Sequence, residues 1–358
     1  MTSETETAAP RPPKPKGPRA PQRRRPRKEI NGWLILDKPV GITSTEALSA
    51  VKRVYQAAKA GHAGTLDPLA SGMLPIAFGE ATKTVPYVVD GRKIYQFTVE
   101  WGVETDTDDS EGKVINRSEL IPTTEAIQAI LPRFIGEISQ VPPKFSAIKI
   151  DGERAYDLAR DGEEVVLDAR TIEVHRLDLV SQPDASHAVF EAECGKGTYV
   201  RALARDMGRA LDTFGHVTAL RRQLVGPFDE EDMVTLSEIR ESGDIETPVE
   251  RDAALGNLLL PVSTALDDIP ALAVSRGDAA RLRRGQSVML RGRDAPANLD
   301  LVCVTSGEDL VAIGAVERGE LLPRRVFSPS RPEEAPAAVV VETVRRGAER
   351  PRRPFTED

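Results

Sequence analysis

Gly61-His62-Ala63-Gly64-Thr65-Leu66-Asp67-Pro68-Leu69-Ala70-Ser71-Gly72 sets one carboxylate, Asp67, in a run of small residues. Its glycines permit backbone angles closed to other residues and let a ligand approach the main chain. Pro68 fixes φ and removes a donor just after the acid. A stiff loop presenting a single Asp suits a nucleophile or an ion-pairing group. The chemistry of the loop alone does not choose between them.

Upstream, Gly32-Trp33-Leu34-Ile35-Leu36 reads as a buried strand ended by Asp37-Lys38-Pro39. Thr43-x-x-Glu46 is a capping box, followed by Ala47, Leu48, Val51 and Val54 at helical spacing. Downstream, Ile94–Trp101 and Ala188–Cys194 alternate with period two and read as strands. Gly195-Lys196-Gly197 makes a turn, and Thr198 is expected to cap a helix running to about Leu211. Strands and helices without strict βαβ alternation indicate an α+β fold with a mixed, largely antiparallel sheet. After Pro270, short apolar runs punctuated by glycine (288–290, 301–304, 310–316, 326–327) predict a small β-barrel.

A chain of 358 residues has room for two domains and tails. Its boundaries read as a Pro/Arg/Lys-rich disordered tail at 1–28, a main domain at 29–266, a small β domain at 271–328 and a second disordered tail at 329–358. Within the second tail, Val339–Val341 can form a short strand. No apolar run approaches the roughly 20 residues that span a bilayer. The N-terminus has no apolar core of a secretory signal. Cys194 and Cys303 are far apart and outside any Cys-x-x-Cys, which suits a reducing cytoplasm. His62, His175, His187 and His216 show no metal-ligand spacing, so no metal is expected. The net charge of −8 is unevenly spread: acid concentrates in Glu104–Glu111 and Asp229–Asp252, base in 1–28, 144–160, 196–222 and 276–325. An acidic protein can therefore present a basic face to nucleic acid.

The Asp67 string and its continuation Met73–Lys83 resemble the active-site segment of the TruB family of bacterial tRNA pseudouridine synthases. Further blocks carry the resemblance through Phe228: Asn31–Ser44, Lys93-Ile94-Tyr95-Gln96, Gln140–Gly152 with Ala155-Tyr156 and Ala159-Arg160, Gly195–Arg201, and Leu220-Arg221-Arg222. The resemblance implies the pseudouridine synthase catalytic fold, an RNA-clasping insertion at about 140–170, and a PUA-like RNA-binding domain at 271–328. It implies a cytoplasmic, monomeric enzyme acting on uridine 55 in the T-loop of tRNA, with the T-arm stem–loop as partner.

That isomerisation cuts the N1–C1′ glycosidic bond, turns the uracil and rejoins it at C5. Nothing is oxidised and no group enters, so no cofactor is expected. A carboxylate beside C1′ is required, and Asp67 fits; attack at C1′ and a glycal route both remain open. Arg201, at the start of the predicted helix, is the expected partner that keeps Asp67 ionised. Arg201, Arg205 and Arg209 share one helical face, and a solvated basic stripe is the plain reading of Arg209. Tyr95 can stack on a flipped base, worth roughly 1–3 kcal/mol, or use its hydroxyl in proton transfer. Tyr199 and Leu220 are candidates for pocket walls, with core packing as the rival. The family likeness implies that His62 helps hold the RNA loop open, and Lys83 falls among its substrate-binding positions. Lys144, Lys149, Arg154 and Arg160 are candidates for phosphate contacts. Two rivals stand beside this reading. One is a noncatalytic tRNA-binding or folding protein on the same scaffold. The other is a glycosidase-like hydrolase, which wants a second carboxylate.

Overall fold

Gly32–Lys38 (β1) carries apolar side chains on both faces because both faces are covered. Leu34 and Leu36 pack into one core cluster and Trp33 and Ile35 into another. The structure, a computed structural model, describes residues 27–146, 149–150, 153–154, 167–292 and 295–329. The expectations for the tail before Arg27, for Arg160 and for Val339–Val341 fall outside those residues. The chain divides into two units, Met1–Pro270 and Ala271–Asp358.

The first unit is built on one nine-stranded sheet. Ala60–His62 (β2), Ser71–Phe78 (β3) and Lys93–Trp101 (β4) surround the Asp67 loop in sequence. Across the sheet the order is Met233–Thr235, β1, β3, Gly215–Val225, β4, His187–Cys194, Arg170–Ser181 and Gly136–Gln140, with β2 paired to β3 off that path. Only two pairings are parallel, β1 with Met233–Thr235 and β3 with Gly215–Val225; the rest are antiparallel. This is the mixed, largely antiparallel sheet that period-two patterning predicts. Phe97 and Phe190 face each other across β4 and its neighbour with ring centroids 5.4 Å apart, within the range where aromatic pairs add to burial.

The helix Ser44–Tyr55 (α1) starts at the expected capping box: Glu46 N donates to Thr43 Oγ1 at 3.1 Å, and Thr43 N to the Glu46 carboxylate at 2.8 Å. Such a cap is worth about 0.5–2 kcal/mol. The helix Val200–Ala210 begins one residue later than Thr198 capping would require. Tyr199 occupies the cap without a side-chain bond, and the Thr198 hydroxyl instead donates to Gly195 O at 3.3 Å. Thr198 closes the preceding turn, so the helix starts on backbone geometry and on the buried face of Val200, Leu203, Ala204 and Met207.

The second unit is a five-stranded sheet with one helix, Arg276–Arg283, packed by Ala279 and Leu282 against Val302, Val304, Val311 and Val316. Its strands Val288–Met289, Leu299–Ser306, Asp309–Glu317 and Glu320–Val326 take up the apolar runs noted in the sequence, with Leu290 and Phe327 just past the strand ends. Among the described residues no helix is long and apolar enough to cross a membrane.

Candidate active site

The loop between β2 and β3 carries Asp67, and its shape is set from three sides. Ser44 at the start of α1 bonds Leu66 twice, donating to its carbonyl at 2.9 Å and accepting from its amide at 2.8 Å. Gly41 N donates to Pro68 O at 2.8 Å. Arg222, on the central strand Gly215–Val225, is 2% exposed and donates to Gly64 O at 3.1 Å and Met73 O at 2.8 Å. One guanidinium therefore ties both ends of the loop. Gly72 makes this approach possible: its φ is +93°, and a Cβ there would lie 2.3 Å from Arg222 O. Gly72→Ala is expected to destabilise the fold by at least about 1–2 kcal/mol from the left-handed backbone alone, with strand displacement added. A thermal melt matching wild type would show that the two strands separate freely.

Asp67, Tyr95, Tyr199, Arg201 and Leu220 line one pocket of about 290 Å³. Tyr95 on β4 and Arg222 on the next strand are direct cross-strand partners. His62 and Lys83 are not among its lining residues. His62 pairs with Ile76 through the β2–β3 ladder, and Lys83 meets Glu80 at 2.6 Å in the turn Gly79–Lys83. Lys144 is exposed. Lys149 and Arg154 are backbone partners in a two-stranded antiparallel pairing.

Arg201 is the centre of the polar network. Its Nε lies 2.9 Å from Asp67 Oδ2 and its Nη1 3.3 Å from Asp109 Oδ2. It also donates to Thr107 O and Phe145 O, each at 2.9 Å. The Arg201 side chain is 6% exposed and that of Asp109 3%, whereas Asp67 keeps 37% open toward the pocket. A buried ion pair is stable only when its remaining hydrogen-bonding positions are filled, and here four groups fill the guanidinium. The arginine stripe is divided: Arg201 and Arg205 are buried, whereas Arg209 keeps 57% of its side chain exposed, as its plain reading expected. Arg205 meets buried Asp108 at 3.0 Å, and Arg209 meets Glu104 at 2.6 Å. The acidic stretch 104–111, noted in the sequence as a concentration of charge, supplies the partners of this helix face.

Desolvation raises the Asp67 pKa; Arg201 opposes the rise and Asp109 adds to it. Burial makes the carboxylate more basic than a free Asp, and the Arg201 cation favours its ionised form. Burial also raises the Tyr95 hydroxyl, with Arg222 in hydrogen-bonding reach acting the other way. Lys93 lines the pocket and donates to Val89 O and Gly91 O; burial lowers its pKa to about 8. Lys38, buried, donates to Pro39 O and Ile42 O and is lowered to about 8 by the same cause. Sequence reasoning gave no role to Arg222, Lys93, Asp109 or Ser146, a further lining residue. Arg222 stands inside a quoted block, and Asp109 in a charge run, but neither pattern says which loop the side chain meets.

The arrangement sets one carboxylate, held by a guanidinium, at the edge of a cavity walled by aromatic and aliphatic side chains. Among the described residues no cluster of His, Cys, Asp and Glu is suited to a metal ion.

The chain matches the family models for the TruB family pseudouridylate synthase N-terminal domain over residues 52–200 and the tRNA pseudouridylate synthase B C-terminal domain over 201–267. It is 62% identical over 316 residues to the tRNA pseudouridine synthase B of Bradyrhizobium diazoefficiens, covering 88% of this chain and 91% of the relative. The corresponding protein of Rhizobium meliloti is 58% identical, with 89% and 99% covered. Among solved structures, a chain of the archaeal box H/ACA sRNP Nop10–Cbf5 complex superposes with a TM-score of 0.65 at 25% identity, covering 84% of this chain and 86% of that one. With family models spanning residues 52–267 and relatives of this identity over most of its length, the chain belongs to the TruB family of pseudouridylate synthases.

Proposed function

We propose that the protein isomerises uridine 55 in the T-loop of tRNA to pseudouridine, with Asp67 as the nucleophile on a flipped-out nucleotide. The observation that carries this reading is the Asp67–Arg201 pair at 2.9 Å beside a cavity walled by Tyr95, Tyr199 and Leu220. Names of relatives agree in tRNA pseudouridylation.

The steps follow from what the side chains can do. Unstacking the uridine costs a few kcal/mol, offset by stacking on Tyr95 and by phosphate contacts. Lys144, Lys149, Arg154 and Arg160 of the insertion supply those contacts, and His62 and Lys83 act on RNA outside the cavity. The N1–C1′ bond breaks as Asp67 attacks C1′ or as the sugar loses a proton to give a glycal. The freed uracil stays between Tyr95, Tyr199 and Leu220, turns, and bonds C1′ through C5 as the Asp67–C1′ bond breaks or, on the glycal route, as C2′ regains its proton. The C5 proton then leaves and N1 gains one, so atoms balance without a redox partner. The enzyme acts as a cytoplasmic monomer, and its second unit adds a PUA-like RNA contact.

The direct test is pseudouridine formation in a bare T-arm stem–loop carrying the single target uridine. Product at that position supports the reading; binding without product in any tRNA would favour the noncatalytic tRNA-binding alternative. In the same assay Tyr95→Phe and Tyr95→Leu separate stacking from proton transfer. Leu is expected to lose roughly 10- to 100-fold, matching a base stack of about 1–3 kcal/mol. A Phe variant near wild-type rate would assign stacking alone; a Phe loss as large as Leu would assign the hydroxyl. Wild-type rates for both would remove Tyr95 from the site.

A further inference from the structure

Four cations line the Asp67 pocket: Lys93, Lys196, Arg201 and Arg222. Three are buried and committed to partners within the protein. Arg201 serves Asp67, Asp109 and two carbonyls, and Arg222 serves Gly64 O and Met73 O. Lys93 donates to Val89 O and Gly91 O. Lys196 differs, with 67% of its side chain exposed. Its one ion-pair partner among the described residues is Asp90 at 3.0 Å, itself 60% exposed.

The backbone holds Lys196 at the lip of the cavity. It sits in the turn between the strand His187–Cys194 and the helix Val200–Ala210. Gly195 N donates to Glu173 O at 2.9 Å on the adjoining strand, and the Thr198 hydroxyl closes the turn on Gly195 O. Gly197 takes the left-handed backbone, at φ +84°, that this turn requires. Asp90 ends the helix Val85–Asp90, whose C-terminal pole disfavours a carboxylate. Helix electrostatics therefore does not favour an acid there; its favourable partner is Lys196, 106 residues away in the chain.

That pair is easily exchanged. Water screens both charges, so an exposed ion pair is weak, and a phosphate can displace the carboxylate. The charge balance of the site selects such a ligand. Uracil is neutral, so a nucleotide entering base-first leaves its only negative charges, the phosphates, at the mouth. Asp67 repels them, and a flexible ammonium with three donors offsets that repulsion. Lys196 is also within the field of the cations deeper in the pocket: burial lowers the Lys93 pKa to about 8, and Arg222 and Lys196 add to the drop. Of these cations only Lys196 is open to solvent, so only it can meet the phosphate without giving up a buried partner.

We propose that Lys196 exchanges Asp90 for a phosphate flanking the target uridine and so holds the flipped nucleotide at the mouth of the cavity. This rests on the uridine-isomerising reading above. The test uses the full-length protein, wild type, Lys196→Gln and Asp90→Asn. Equilibrium titrations over a range of salt use T-arm stem–loops with native phosphates, or with one uncharged methylphosphonate 5′ of the target, 3′ of it, or in the distal stem. Lys196→Gln is expected to weaken native RNA roughly three- to tenfold, as one charge-assisted contact at an open site commands. The salt slope should fall by about 0.7–0.9, the share of one phosphate. Asp90→Asn should tighten binding roughly two- to fivefold by freeing the lysine. The Lys196→Gln loss should vanish on RNA neutralised at one flank of the target and persist when the stem is neutralised instead. An equal loss on all four RNAs, no loss on any, or weaker binding by Asp90→Asn would overturn the assignment. So would a lowered melting temperature of Lys196→Gln with no dependence on the flanking phosphate. Coupling to a flanking phosphate in a protein that forms no pseudouridine would uphold the Lys196 contact and reject the proposed reaction.

Discussion

Asp67→Asn is expected to abolish pseudouridine formation while RNA binding and folding persist. Asn keeps the shape of the side chain and removes the charge that makes it a nucleophile. Arg201 loses one of two carboxylates but keeps Asp109 at 3.3 Å and the carbonyls of Thr107 and Phe145. The network therefore stays satisfied and the melting temperature should move little. A loss of at least about 10⁴-fold, roughly 5 kcal/mol of barrier at 1.36 kcal/mol per decade, is the expected result. Tritium release from C5 of labelled stem–loop RNA reads it directly. Multiple turnovers by this variant would reject Asp67 as the nucleophile.

Arg201→Met should produce the second-largest loss, by a different route. Two carboxylates, Asp67 and Asp109, share this one guanidinium. Without it they repel each other in a desolvated setting, and one takes up a proton. Arg201 lowers the Asp67 pKa whereas burial and Asp109 raise it. Its removal must raise that pKa further, so the acid limb of the pH–rate profile should move to higher pH. Breaking a buried pair from one side costs about 3–5 kcal/mol, equivalent to roughly 10²- to 10⁴-fold in rate if expressed in catalysis. Arg201→Lys should recover little, because an ammonium cannot reach Asp67, Asp109, Thr107 O and Phe145 O together. An Arg201→Met enzyme whose acid limb sits at the wild-type pH would show that the pair does not set the ionisation of Asp67. Asp109→Asn, with its charge removed, should shift that limb the opposite way.

How the sequence relates to this site is clearest residue by residue. Local patterns were legible wherever the cause is local: the Thr43–Glu46 cap, the alternation of β4, and the both-faces burial of β1 all follow from neighbours in the chain. The Thr198 cap failed because a hydroxyl three residues beyond Gly195 can close a turn as readily as start a helix. Asp67, Tyr95, Tyr199, Arg201 and Leu220 were legible through the family-like blocks that contain them, and the fold gathers them at one cavity. What surrounds them was not. Arg222 reaches across 158 residues to Gly64, Arg201 across 56 to Phe145, and Ser44 across 22 to Leu66. Periodicity describes which face a side chain takes, not which distant carbonyl waits there. The sequence by itself determined that one rigid loop presents one acid, followed by strands and an arginine-faced helix. Only the tertiary structure decided that the acidic stretch 104–109 neutralises that helix, and that Asp67 alone among its carboxylates remains open to the pocket. The physical reason is that a buried charge must find its partner through space, and the sheet register sets that distance.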